Sequence, residues 1–425
     1  MKEEFLYYVW QYQLFSSLNL KNSDGKKIQL KKTGLLNKHA GPDFLNAQLY
    51  IDGQLWVGNI EMHVKASDWY LHKHETDPNY DAVILHVVWE NDAIIYTKNN
   101  EPLITVVIKD FIDGSILNNY NSLLFADKTW IPCENQIQTV DVFLIKNWQE
   151  RLCFERLEQK SKAIEMLLKE SKLDYDAVLF QLLAKNFGLK INGDAFLDFA
   201  KAIDFSTVRK VAHDQKRLTA LLFGMAGFLE TEIESEYYLN LKKEFVYLKH
   251  KFNLHPKIKN SFQFFRMRPT NFPTIRIAQL AALFAEHQNL FSKVIHLNNK
   301  KDYYKLFSFS IDDFWKEHYT FETTSKKSSK KLTKSFIDLL LINTIVPLKF
   351  VYLKNRGELT EGAFLSLIQE ISSEKNGIIS KFLDLGISSK NALESQALLQ
   401  LKNNYCTAKK CLNCAIGNNL LRTNA

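Results

Sequence analysis

Two short strings carry most of the chemistry open to this chain: Gly41-Pro42-Asp43-Phe44 and, further along, Glu61-Met62-His63-Val64-Lys65. They supply two carboxylates, an imidazole and an ammonium group. Paired carboxylates suit a hard divalent cation, which in turn lowers the pKa of water and offsets charge on a phosphate. An imidazole, only partly cationic near neutral pH, serves as general base or further ligand. Asp43, Glu61, His63 and Lys65 are therefore the candidate catalytic residues, with Asp43 and Glu61 as ligands of magnesium or manganese.

Alternation places these groups. Leu55, Val57, Asn59, Glu61, His63 and Lys65 fall on one face of an extended strand, and Trp56, Gly58, Ile60, Met62 and Val64 on the other. Upstream, Leu45, Ala47, Leu49 and Ile51 alternate with Asn46, Gln48 and Tyr50, and Asp52-Gly53 between the runs signals a two-residue hairpin turn. With that turn Phe44, not Asp43, lies opposite Glu61. Bringing the carboxylates together requires a bend or bulge near Asp43.

Further histidines follow. His72 and His74 lie in a polar stretch after Trp69-Tyr70, with Glu75 and Asp77 behind them, and join Asp68 as second-rank candidates for metal or phosphate contact. Solvated loop positions explain them equally well. His86 sits inside Val83 to Trp89, a continuous apolar run expected to be a buried central strand, and reads as a satisfied core histidine.

A proline-aspartate followed by Glu-x-Lys on the next strand resembles the PD-(D/E)XK nuclease superfamily. The resemblance implies that Asp43 and Glu61 hold a divalent metal and that nucleic acid is the substrate. His63 stands where that superfamily carries lysine, and Lys65 lies one pleat further on the same face. The longer string from Gly34 through Ala40-Gly41-Pro42-Asp43-Phe44, Gly58-Asn59-Ile60-Glu61-Met62-His63, Ser67-Asp68-Trp69-Tyr70, His72-x-His74 and Val83 to Val88 resembles a bacterial family, domain of unknown function 2851. That likeness is expected along nearly the whole chain, including Arg268-Pro269-x-Asn271-Phe272-Pro273 and the cysteine-rich tail.

The five cysteines are Cys133, Cys153, Cys406, Cys411 and Cys414. Without an export signal, a disulfide framework is not expected. Cys406-x4-Cys411-x2-Cys414 places three soft ligands within nine residues, and Cys133, far upstream in Trp130-Ile131-Pro132-Cys133, is the candidate fourth. The expected occupant is zinc or an iron-sulfur cluster. The arrangement is similar to that of nucleases in the same superfamily with one distant and three C-terminal cysteines, although the spacing differs. The alternative is that all are buried small hydrophobes, as Cys153 in its helical segment is expected to be.

With 425 residues and 46% hydrophobic content, the chain can bury two or more cores. It begins Lys2-Glu3-Glu4 before an aromatic-rich amphipathic run and shows no signal-peptide pattern and no eighteen consecutive apolar residues. A cytoplasmic protein without membrane insertion is expected. The net charge of +8 permits nucleic acid as a partner. Lys326, Lys327 and Lys330, in a serine-rich basic run, and Arg266, Arg268 and Arg276, around Pro269 to Pro273 with Phe262, Phe264 and Phe265 before them, are candidate phosphate and base contacts. A solvated loop and a structural turn are the competing explanations.

The hydrophobic period divides the chain. An N-terminal helix, the hairpin, the strand at Val83 to Trp89 and a strand pair near Ile94 to Tyr96 and Leu103 to Ile108 make a mixed sheet ending near residue 115. Beyond it, helical spacing recurs from Val142 to Glu170 through to Ala392 to Asn404, with Asn192-Gly193, Asn271 to Pro273 and Pro347 marking turns or helix ends. The expected fold is α+β: a nuclease-like α/β domain over residues 1–125 with a mixed sheet, then a larger, mainly helical region over 126–425. The expected function is a metal-dependent phosphodiesterase acting on DNA or RNA. Two alternatives stand beside it. One is a catalytically inactive nucleic-acid- or protein-binding module, in which His63 marks a lost activity. The other is a metal hydrolase ligated by His63, His72 and His74, which requires three imidazoles to converge.

Overall fold

A computed structural model describes residues 1–125, 129–256 and 259–423 of the chain. Two compact units make it up: Met1–Trp148 with Leu401–Ala425, and Gln149–Gln400. The cysteine-rich tail thus belongs with the first unit, and the division differs from a single cut near residue 125. The reason is a set of side-chain bonds that hold the tail down, among them Asn119 Nδ2 to the Leu421 carbonyl (3.2 Å) and Lys402 Nζ to the Trp130 carbonyl (2.7 Å).

The first unit opens with α1 (Glu3–Gln11), whose Phe5, Leu6, Val9 and Trp10 are buried. Six strands follow: β1 (Ile28–Lys32), β2 (Leu35–Leu36), β3 (Phe44–Ile51), β4 (Gln54–Lys65), β5 (Val83–Glu90) and β6 (Thr105–Val107). They form one mixed sheet in the order β1-β3-β4-β5-β6, with β2 also pairing β3. β3 and β4 are the antiparallel hairpin expected from alternation, turned at Asp52-Gly53, both with positive φ. β5, the continuous apolar run, lies between β4 and β6 and is parallel to both. The segment Ile94 to Tyr96 is not a strand. Its only ladder contact is an isolated bridge from Tyr96 to Pro102.

Two features of this sheet place the chemistry. The first is a bulge: Ala47 pairs Gly58 while Phe44 pairs Ile60, so Leu45 and Asn46 on β3 face Asn59 alone on β4. Asn46 carries the strain, at φ 57, and its N–H donates to Asn59 Oδ1. One extra residue moves Asp43 into register with Glu61. The second is the crossover that parallel β4 and β5 require. It runs through α2 (Asp68–Leu71) and a 3-10 turn at Pro78–Tyr80, packing Ala66, Trp69 and Tyr80 against Val83 and Val88. His72 and His74 ride on it.

The second unit is helical. The sheet-bearing unit and this helical region together make the α+β class expected from the sequence. Helices approach closely at Gly224, where any side chain would meet the Phe245 ring. Two expected breaks are absent. The helix Leu189–Lys201 runs straight through Asn192-Gly193, with the Asn192 side chain bonded to the Gln263 backbone instead of its own. Pro347 does not end a helix, since a π-helical turn at Leu341–Ile345 precedes it and the run continues as Val346–Arg356. Lys334–Arg356 is apolar and long enough to cross a bilayer, and 72% of its apolar window is buried inside the structure, as in a core helix.

The bulge makes a direct prediction. Asn46→Val, a β-branched side chain forced into left-handed backbone, costs about 1–2 kcal/mol of stability in chemical denaturation, whereas Asn46→Gly costs nothing. Equal stability of the two variants would contradict the bulge.

Candidate metal centre

Asp43 and Glu61 clamp each other across the hairpin. The Asp43 N–H donates to Glu61 Oε2 (3.1 Å), and the Met62 N–H donates to Asp43 Oδ2 (2.9 Å). Each carboxylate thus ties one oxygen to the backbone of the opposite strand. Glu61 Oε1 is left facing imidazoles, 3.2 Å from His74 Nε2 and 3.5 Å from His63 Nε2. His63 Nε2 lies 3.1 Å from His72 Nδ1. The ligand atoms of His63, His72 and His74 all fall within 4.8 Å of one another.

These separations are those of a coordination shell. Bonds of about 2.0–2.1 Å to a tetrahedral ion put neighbouring ligand atoms roughly 3.3–3.4 Å apart. The pair His74 Nε2 and Glu61 Oε1 is close without hydrogen-bond geometry, and that nitrogen is buried with no hydrogen-bond partner. Two lone pairs aimed at a common point explain both observations. The residues present therefore fit a divalent metal held by His63, His72 and His74, with Glu61 Oε1 close to two of them and Asp43 beside it.

Supporting groups fix the rings. His63 Nδ1 lies 2.8 Å from Nε2 of the fully buried His86, so a His63 that ligates through Nε2 donates its other N–H to His86. The expected satisfied core histidine is thus a support for the centre, although its own Nδ1 has no partner. Tyr80 stacks on His74 with centroids 3.7 Å apart, and Trp69 meets it edge-on. α1 contributes Tyr7, whose hydroxyl donates to Glu3 Oε2 (3.5 Å) and acts on Asp43, and Glu3, which interacts with His72. Sequence reasoning missed Glu3, Tyr7 and Tyr80. The four-residue spacing of Glu3 and Tyr7 on one helical face was the only signal.

Burial sets the electrostatics of these groups. Burial, then the neighbouring Glu61 charge, holds Asp43 far above the usual carboxylate range, and burial does the same to Glu61. Burial pushes His86 down to about 3 and keeps His63 neutral too, helped by the surrounding imidazoles.

The remaining candidates lie elsewhere. Lys65 is at the exposed end of β4, its N–H bonded by Asp68 and its charge acting on Asp92, so it adds nothing to the centre. Asp68 serves that backbone contact and reaches the centre only through its field on Glu3. In the second unit, Arg268, Arg276 and Lys330 line one cleft of about 480 Å³ together with Lys331. Arg276 is buried over the Phe336 ring and bonded to Asn271 and Gln279, and Lys330 bonds the His318 carbonyl and Ser325. Arg266 lies over the neighbouring Phe265, Lys327 pairs with Glu317, and Lys326 is exposed, none of them lining the cleft. Cys133, Cys406, Cys411 and Cys414 line a single void.

A family described as protein of unknown function, DUF2851, matches residues 3–377. The match stops short of the three tail cysteines. No curated protein and no solved structure matches the chain.

The raised carboxylates set a pH dependence. In metal-free protein the fold holds protons on Asp43 and Glu61 that the unfolded chain has already released, so these two carboxyls lower stability as pH rises from about 4, where the unfolded groups ionise, until they ionise in the fold near 7 and 8. Below about pH 7 the lowered His63, His74 and His86 act in the opposite direction, because the unfolded chain binds protons there that the fold does not, so the carboxylate slope stands alone from about 7 to about 8. Glu61→Gln flattens the fall in thermal unfolding measured in chelator, and an unchanged slope would count against the site.

Proposed function

We propose that this chain, which belongs to the DUF2851 family, is a divalent-metal-dependent phosphodiesterase acting on DNA or RNA at the centre formed by His63, His72, His74 and Glu61. The observation that carries the proposal is the meeting of three imidazole nitrogens, two of them within 3.5 Å of a Glu61 carboxylate oxygen whose partner oxygen is tied to backbone. Three imidazoles make the donor set softer than magnesium prefers, so manganese, zinc or another first-row ion is the expected cofactor. When bound, such an ion supplies Lewis acidity, easing deprotonation of water and offsetting negative charge on the phosphoryl oxygens.

The chain's own groups do the rest. His86 orients the His63 ring so that Nε2 faces the centre. The Asp43 carboxylate, held by the Met62 N–H and the Tyr7 hydroxyl, is placed to take a proton from attacking water. His72, the one exposed imidazole of the three, marks the side from which substrate approaches. Nucleic acid as substrate is supported by the pairing of a strand-start aspartate with a glutamate on the adjacent strand, which resembles the PD-(D/E)XK motif. The net charge of +8 and the basic cleft of the second unit support it too. The converging imidazoles equally favour a second reading, a hydrolase of the same metal class acting on another substrate.

Labelled single-stranded, duplex and branched DNA and RNA, incubated with manganese or zinc, should be cleaved. Asp43→Ala, Glu61→Ala and His63→Ala each lower the rate about a hundredfold or more, while Lys65→Ala leaves it nearly unchanged. Cleavage surviving Glu61→Ala would refute the assignment. Strand binding has a separate test at the cleft. The double variant Arg268→Ala/Lys331→Ala weakens it and reduces the slope of affinity against salt by up to about two phosphate contacts, and an unaltered slope would remove the cleft from the interface.

A further inference from the structure

We infer that Cys133, Cys406, Cys411 and Cys414 form a four-thiolate site for an iron-sulfur cluster that fastens the C-terminal segment to the first unit. The four come from two stretches of chain far apart in sequence. Cys133 sits in a tight turn in which the N–H groups of Gln136 and Ile137 both bond its carbonyl. Cys406 closes a π-helical turn, Cys411 opens a 3-10 turn, and Cys414 immediately precedes the helix Ala415–Arg422. All four are free thiols and line one small void of about 10 Å³.

The spacing favours a cluster over a single ion. A tetrahedral zinc with Zn–S bonds of about 2.3 Å needs sulfurs roughly 3.8 Å apart. Among the described residues, only the three histidines bring ligand atoms within 4.8 Å of one another, so no three of these sulfurs are that close. The sulfurs thus stand wider apart than a single tetrahedral ion holds its ligands, as the thiolates around a cluster do.

Local contacts fix where these sulfurs sit. Cys414 receives N–H bonds from Ile416 and Gly417, the kind of contact that stabilises cluster sulfur. Any side chain at Gly417 would collide with the Cys411 carbonyl, so the helix start is pressed onto the Cys411 turn. Lys402 and Lys409 act on Cys406 and Cys411, and both ammonium groups are anchored, to the Trp130 and Leu124 carbonyls. The three tail cysteines lie beyond the family match, and the site stands independently of the histidine centre.

The test is the full chain purified without oxygen, analysed for iron, acid-labile sulfide and zinc, with its visible absorption spectrum. The expected result is brown protein with stoichiometric iron and sulfide. Both are lost in Cys133→Ser and in Cys411→Ala, with circular dichroism of the folded chain retained, while Cys153→Ser keeps both. Colourless protein carrying zinc overturns the cluster, and so does protein that binds neither. Iron that persists in both Cys133→Ser and Cys411→Ala overturns the ligand assignment. Should either variant fail to fold, loss of the spectrum on treating the wild-type chain with an iron chelator under denaturant-free conditions decides the same question.

Discussion

Asp43 and Glu61 are held face to face by two hydrogen bonds that each carboxylate takes from the other's strand, and the centre is built outward from that clamp. It exists because β3 carries one residue more than β4 at Leu45-Asn46. A regular ladder would have turned Phe44 toward Glu61 and buried an aromatic ring where the second carboxylate is needed. The strain at Asn46 is modest beside what it aligns.

Two buried carboxylates at close range repel, and burial penalises each charge further. Among the described residues no lysine or arginine pairs with either. The ion-pair partners of Glu61 are His63 and His74, both held neutral or nearly so by their burial. A divalent cation at the proposed centre would resolve this imbalance in one step, since it favours ionised carboxylates and neutral imidazoles together. The crossover between parallel strands then has a second use beyond closing the sheet. Stacked between Trp69 and Tyr80, it delivers His74 to Glu61 and leaves His72 at the solvent edge.

Much of this was legible in the residues. The hairpin followed from period-two alternation around Asp52-Gly53, and the central strand from the apolar run at Val83. The long helices followed from their 3.6-residue spacing. The bulge was legible only as a requirement, because an asparagine tolerates left-handed backbone without announcing it. Lys65 misled because alternation specifies a face and says nothing of where a strand leaves the core. His72 and His74 resembled loop histidines, since their convergence depends on the path of a crossover that no local pattern encodes. Glu3 and Tyr7 reach the site by packing of a remote helix. Pro347 failed as a break because a π-helical turn precedes it, and Asn192-Gly193 because the Asn192 side chain bonds the Gln263 backbone instead of its own.

The most direct test of the central claim is a crystal structure of the chain soaked in manganese, with anomalous scattering recorded. The account predicts one strong peak within bonding distance, about 2.0–2.3 Å, of His63 Nε2, His72 Nδ1, His74 Nε2 and Glu61 Oε1, with Asp43 alongside. No peak there at saturating metal, or a peak held by other residues, would contradict it.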